Sequence, residues 1–142
     1  MKKLLFPVIL PMLFIATTFS SCGIGEDSAE AQTFVEEFYG YLSEKDYDKA
    51  MSMVDEDSKK ITPQDEWLKI LTQKESLGKF NGYEKSMGFN THYNNGVTTV
   101  ELNYTCNYEK MEVYEKFTMV KRGDVYKIMS YEYNTDKSKL SD

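Results

Sequence analysis

From Ser28 onward the apolar residues keep one period as far as Gly78 and a different one after it. Ala31, Phe34, Val35, Phe38 and Leu42 recur at helical spacing, which predicts a first helix beginning near Ser28 with one apolar stripe. Asp46 fits the cap of a second, shorter helix in which Tyr47, Ala50, Met51 and Val54 align, and the polar Asp55-Glu56-Asp57-Ser58 reads as its solvated end. Thr62-Pro63-Gln64-Asp65 reads as another helix start, with Thr62 as cap and Pro63 in the first turn. Trp67, Ile70, Leu71 and Leu77 supply the buried face of that helix, and Gly78 stops it.

Beyond Gly78 the period falls to two. Asn95-Gly96 and Arg122-Gly123 are two-residue hairpin turns in this reading, and Glu109-Lys110 sits where the flanking patterns ask for a third. Four antiparallel strands result, near 80–93, 97–108, 111–121 and 125–133. Helices followed by a meander give an α+β domain, N-terminal helices packed on a four-stranded sheet. Three two-residue turns set the register: Met87, Tyr104, Glu115 and Ser130 share one row, and Phe89, Leu102, Phe117 and Ile128 the next. The opposite face shows Thr99, Glu101, Asn103, Lys116 and Thr118.

The chain before Ser28 obeys neither period. Lys2-Lys3, an apolar run from Leu4 to Phe19, and Ser20-Ser21-Cys22 make a basic start, an apolar segment short for a bilayer, and small residues ahead of a cysteine. This resembles a bacterial lipoprotein signal. The resemblance implies removal of residues 1–21 and a diacylglycerol on the sulfur of Cys22, with 22–27 as lipidated residue and tether, 28–134 as the domain and 135–142 as a polar tail. The other readings are a secretory signal cut by the ordinary peptidase, for which no good Ala-x-Ala site stands, and an uncleaved anchor, against which Pro7 and Pro11 weigh. Gly23 after Cys22 points to the outer membrane, and Glu26-Asp27 resembles the acidic signal of surface-exported lipoproteins. The partner implied is the lipid bilayer, with the domain on the periplasmic or the surface face.

Losing Lys2 and Lys3 from 17 basic residues against 23 acidic ones leaves 15 and a formal charge of −8, which argues against a nucleic-acid partner. With Cys22 acylated, Cys106 has no disulfide partner. It falls on an alternating stretch, Val100 to Cys106, as a small buried strand residue.

The pattern Phe38-x-x-x-Leu42 with Asp46-Tyr47-Asp48-Lys49-Ala50, and a last hairpin ending Tyr126-Lys127-Ile128, is similar to the nuclear-transport-factor-2-like superfamily, and more narrowly to its small bacterial lipoproteins. The resemblance implies a curved sheet wrapped on helices into a cone, often with a pocket at the open end. It implies no particular reaction.

Glu115 is the candidate for chemistry, because its register points a carboxylate at the apolar face, where desolvation raises a carboxyl pKa. In enzymes of the superfamily an inward carboxylate with a tyrosine moves a proton beside a carbonyl, so Glu115 would be base and Tyr104 hydrogen-bond donor. The plainer alternative places Glu115 near a strand end, reaching solvent. His92, the single histidine, lies on the outward face near Asn95-Gly96, with no second ligand at metal spacing. No cofactor is expected. The function expected is that of a membrane-anchored envelope lipoprotein with a non-catalytic domain that binds a small apolar ligand or a protein, or assembles. The alternative is a small isomerase- or dehydratase-type enzyme using Glu115 and Tyr104. The outward sheet face leaves a homodimer open.

Overall fold

A computed structural model describes the backbone of residues 24–140 and the side chains of 27–85 and 89–140. Residues 1–21, Cys22 and the side chain of Met87 lie outside the described residues. The first helix, α1 (Ile24–Ser43), starts four residues before the expected Ser28, so the expected tether at 22–27 is mostly helix. Ala31, Val35 and Phe38 are wholly buried on the expected face, with Tyr39 alongside. The helix ends on Lys45 in the left-handed region (φ 59°), where the N–H of Asp46 reaches the carbonyl of Tyr41 and the N–H of Lys45 that of Leu42. That is the bonding of a Schellman close, with lysine where glycine is usual.

Asp46 caps α2 (Tyr47–Ser52) as expected, its Oδ1 accepting the N–H of Lys49. The segment Asp55–Ser58 departs from expectation. It opens a further helix, α3 (Glu56–Ile61), and Asp55 is its N-cap, buried and gripped by Arg122 across the fold. Asp55 N–H also bonds the carbonyl of Ile128, and Ile128 N–H that of Met53, a short parallel bridge tying the helices to the last strand. Helix α4 (Gln64–Gln73) starts one position later than read, with Pro63 as cap and Thr62 closing α3. Trp67 and Leu71 are buried, and a 3₁₀ turn (Lys74–Leu77) leads to Gly78, whose φ of 84° stops the run.

The sheet is an antiparallel meander in the order β1 (Phe80–Asn94), β2 (Val97–Tyr108), β3 (Glu112–Arg122), β4 (Val125–Asn134). Asn95 and Gly96 both have positive φ, as the first hairpin turn requires, and Glu109-Lys110 forms the second. The third turn is Gly123-Asp124, one residue beyond the expected Arg122-Gly123, because Arg122 pairs with Val125.

Tyr104 faces Glu115, and Leu102 faces both Phe89 and Phe117, as the alternation predicts. The fourth strand differs. The later turn moves its pairing by two residues and a bulge at Met129 by one more, so Glu115 stands beside Tyr133 and Phe117 beside Tyr131, while Ser130 pairs with Thr118 on the other face. Inward residues of β4 are therefore Tyr126, Ile128 and Tyr131. Two further irregularities in β1, between Phe80 and Gly82 and between Lys85 and Phe89, are places where a strand bends and twists. No helix among the described residues is long and apolar enough to cross a membrane.

Candidate ligand pocket

Alternation along β3 turns Val113, Glu115, Phe117 and Met119 inward, and all four are fully buried. A charged side chain with no solvent needs every lone pair occupied and an opposite charge nearby. Glu115 has both. Its Oε1 accepts from Lys74 Nζ at 3.1 Å and from Tyr108 Oη at 3.2 Å, and its Oε2 accepts from Tyr39 Oη at 2.9 Å and more loosely from Lys74 at 3.4 Å. Lys74 Nζ also donates to Tyr131 Oη and lies 4.7 Å from the centre of that ring.

The donors arrive from three directions. Tyr39 follows Val35 by four residues on the apolar face of α1. Lys74 follows Trp67 and Leu71 at i+7 and i+3, so the stripe of α4, continued through the 3₁₀ turn, carries its ammonium into the core with only 4% of the residue exposed. Tyr108 ends β2. Lys74 was absent from the sequence reading, although its position on that stripe was the available signal.

Tyr104 lies opposite Glu115 as the register requires, yet its hydroxyl is not among the carboxylate's donors. It is buried without a hydrogen-bond partner, its ring edge-on to Tyr39 and Phe117. The carboxylate's own donors are Lys74, Tyr39 and Tyr108, while Tyr104 stands beside it in the sheet without bonding to it. Nor does Glu115 reach solvent at a strand end.

Burial, followed by the nearby Glu115 charge, raises the hydroxyl pKa of Tyr39, Tyr108 and Tyr131, so all three stay protonated donors. The same two causes raise the thiol of Cys106, whose Sγ lies 3.2 Å from Tyr39 Oη. Cys106 is therefore a buried thiol rather than a reactive one. His92 is exposed beside Thr99.

A cavity of about 440 Å³ opens next to this cluster, between the C-terminal end of α1, the start of α2, the 3₁₀ turn and the adjoining ends of β1 and β2. Tyr39, Lys74 and Tyr108 belong both to its wall and to the Glu115 cluster, whereas Glu115 stands behind them. Leu42, Leu71 and Phe80 make the apolar part of the wall. Phe80 stacks on Tyr39 at 5.5 Å between ring centres, and Tyr39 in turn stacks on Tyr83 at 5.1 Å, which fixes the orientation of the Tyr39 hydroxyl. At the mouth, Glu75 accepts from Tyr47 Oη and from Lys45 Nζ at 3.0 Å. Those two donors, Tyr47 first, hold the Glu75 carboxyl below its ordinary pKa, and burial followed by the Glu75 bond pushes Tyr47 up to about 12. The result is a concave, partly aromatic pocket with a preset polar wall, within the size range of small-molecule sites.

Compared with protein-family models and with curated proteins, the sequence matches none of either.

Proposed function

We propose that this chain is an envelope lipoprotein, anchored through acylated Cys22, whose nuclear-transport-factor-2-like cone binds a small, largely apolar molecule without transforming it. The observation that carries the reading is the 440 Å³ cavity backed by a carboxylate already engaged by Lys74, Tyr39 and Tyr108. A carboxylate whose lone pairs are held by three donors, and which lies behind the wall, has no free oxygen to take a proton from a substrate. What that carboxylate supplies is order. It fixes the hydroxyls and the ammonium of the wall in one arrangement, and a rigid wall lowers the entropic cost of binding.

Occupancy has a thermodynamic signature, because a molecule that binds only the folded state raises the unfolding midpoint by mass action. Protein purified gently from its own membranes should unfold at a higher temperature than the same protein stripped by unfolding and refolding. Returning an organic extract of the first sample to the second should restore the difference. Ser43→Trp places a large ring at the exposed mouth of the cavity, so this variant should show no difference between the two preparations. Equal midpoints for both wild-type preparations would refute the reading.

A further inference from the structure

The start of α1 and the mouth of the cavity lie at opposite ends of the sheet. Lys121, near the end of β3, holds the first described turn of α1 by ion pairs to Asp27 at 2.9 Å and Glu30 at 2.8 Å, and Tyr126 Oη donates to the same Asp27 carboxylate at 3.0 Å. Those bonds, with Lys121 first, keep the Asp27 carboxyl below its ordinary range. Tyr93, Thr98, Lys121 and Tyr126 form one row across the four strands, so the β1–β2 and β3–β4 hairpins share the end at which α1 begins. The cavity is lined instead by Leu42 at the far end of α1, by the first residue of β1 and by the last of β2. Leu42 stands fifteen positions after Asp27 on the helix, about 22 Å along the axis.

At the hairpin end two apolar side chains lack cover, Tyr93 at 76% exposed and Val125, beside the third turn, at 53%. Exposed apolar side chains also stand outside that end, as Phe89 does in the middle row with buried Leu102 and Phe117, and Met111 at the β2–β3 turn. Cys22 stands two residues before Ile24, and two residues span at most about 7 Å even when extended. An acyl chain on Cys22 therefore brings the start of α1, and the hairpin end bound to it, against the headgroups. Tyrosine is favoured in that zone, its ring among the acyl boundary and its hydroxyl in water.

We infer that the Tyr93 and Val125 end of the sheet rests on the bilayer and that the pocket is thereby held on the side facing away from it. This inference rests on the lipid-anchor reading above.

The test uses the full chain expressed in a bacterium that processes it, carrying Tyr93→Cys or Lys79→Cys; Lys79 is exposed at the cavity mouth. An environment-sensitive fluorophore is coupled to the new thiol, since Cys106 is fully buried and does not compete. Each protein is placed in phosphatidylethanolamine and phosphatidylglycerol vesicles with or without brominated acyl chains. The label at position 93 should shift to the blue and lose most of its emission in brominated vesicles, and the label at 79 should keep its emission and be quenched by aqueous iodide. Intact mass of the same preparations reports the acyl group separately. An unmodified Cys22 overturns the anchor reading and this inference with it. An acylated protein with equal lipid quenching at both positions, or more at 79, or with position 93 shielded by a second copy instead of lipid, overturns this inference alone.

Discussion

Removing Lys74 while leaving Glu115 in place is the sharpest perturbation of the core. Lys74→Met keeps the length and apolar stem of the side chain but withdraws the one cation, among the described residues, within hydrogen-bond distance of a carboxylate that is 0% exposed. The Lys74 side chain is itself only 5% exposed, so solvent screening does not dilute the pair. Breaking a buried pair from one side costs about 3–5 kcal/mol, because the remaining charge loses its counter-ion and cannot recover hydration. For a domain of this size unfolding entropy is about 0.25 kcal/mol per degree, so the loss corresponds to a fall in Tm of roughly 12–20 °C. Lys74→Met/Glu115→Gln removes both charges and leaves an amide among the tyrosine hydroxyls, so its loss should be smaller, about 1–3 kcal/mol. Urea unfolding followed by the fluorescence of Trp67, the single and buried tryptophan, measures all the variants needed for a double-mutant cycle. A loss below about 1 kcal/mol for Lys74→Met, or strict additivity of the two substitutions, would refute the description of the cluster as a coupled buried pair.

Tyr39→Phe removes one donor from Glu115 and the contact with Cys106, and should cost about 1.5–3 kcal/mol by the same urea assay. Cys106 should alkylate with iodoacetamide only at the rate of global opening, so its reaction should accelerate with urea in step with unfolding. Asp55 is held below its ordinary carboxyl pKa chiefly by Arg122, with the backbone N–H groups of α3 helping, against burial, which raises it. A depressed folded-state pKa means that the stabilisation is complete above the unfolded carboxylate pKa and disappears as pH falls through the folded value. Asp55→Asn should therefore be less stable than wild type at pH 7, and the gap should close as pH falls below the ordinary carboxylate range through the depressed Asp55 value, as read by thermal unfolding across pH. Lys45→Gly relieves a left-handed lysine at the close of α1 and should raise Tm by a few degrees, equivalent to about 0.5–1 kcal/mol, despite loss of the exposed Lys45–Glu75 pair.

Local signals carried much of this architecture. The stripe Ala31, Val35, Phe38, the switch of period at Gly78 and the Asn95-Gly96 turn each reflect a constraint acting within a few residues, and the helices, strands and first hairpin follow from them. The inward placement of Glu115 follows from alternation for the same reason. Features set by distant partners were not readable in this way. Asp55 looks like part of a polar helix end until Arg122, distant in sequence, binds it and lets it cap α3. The bulge at Met129 has no glycine or proline to announce it. It sits where the Ser58 hydroxyl bonds the Met129 carbonyl, a contact between separate elements. At the pocket, sequence register alone brought Tyr104 to Glu115, since both lie in the sheet. The donors that bind the carboxylate, Tyr39 and Lys74, come from helices whose docking onto that sheet no short-range pattern specifies.

Native mass spectrometry of the protein, released gently from membranes of its own source, tests ligand binding in the cone most directly. The account predicts a population heavier than the lipidated chain by the mass of one small molecule, lost on mild activation in the gas phase and missing from Ser43→Trp. A wild-type spectrum showing only the bare lipidated chain, or an added mass unchanged by Ser43→Trp, would contradict it.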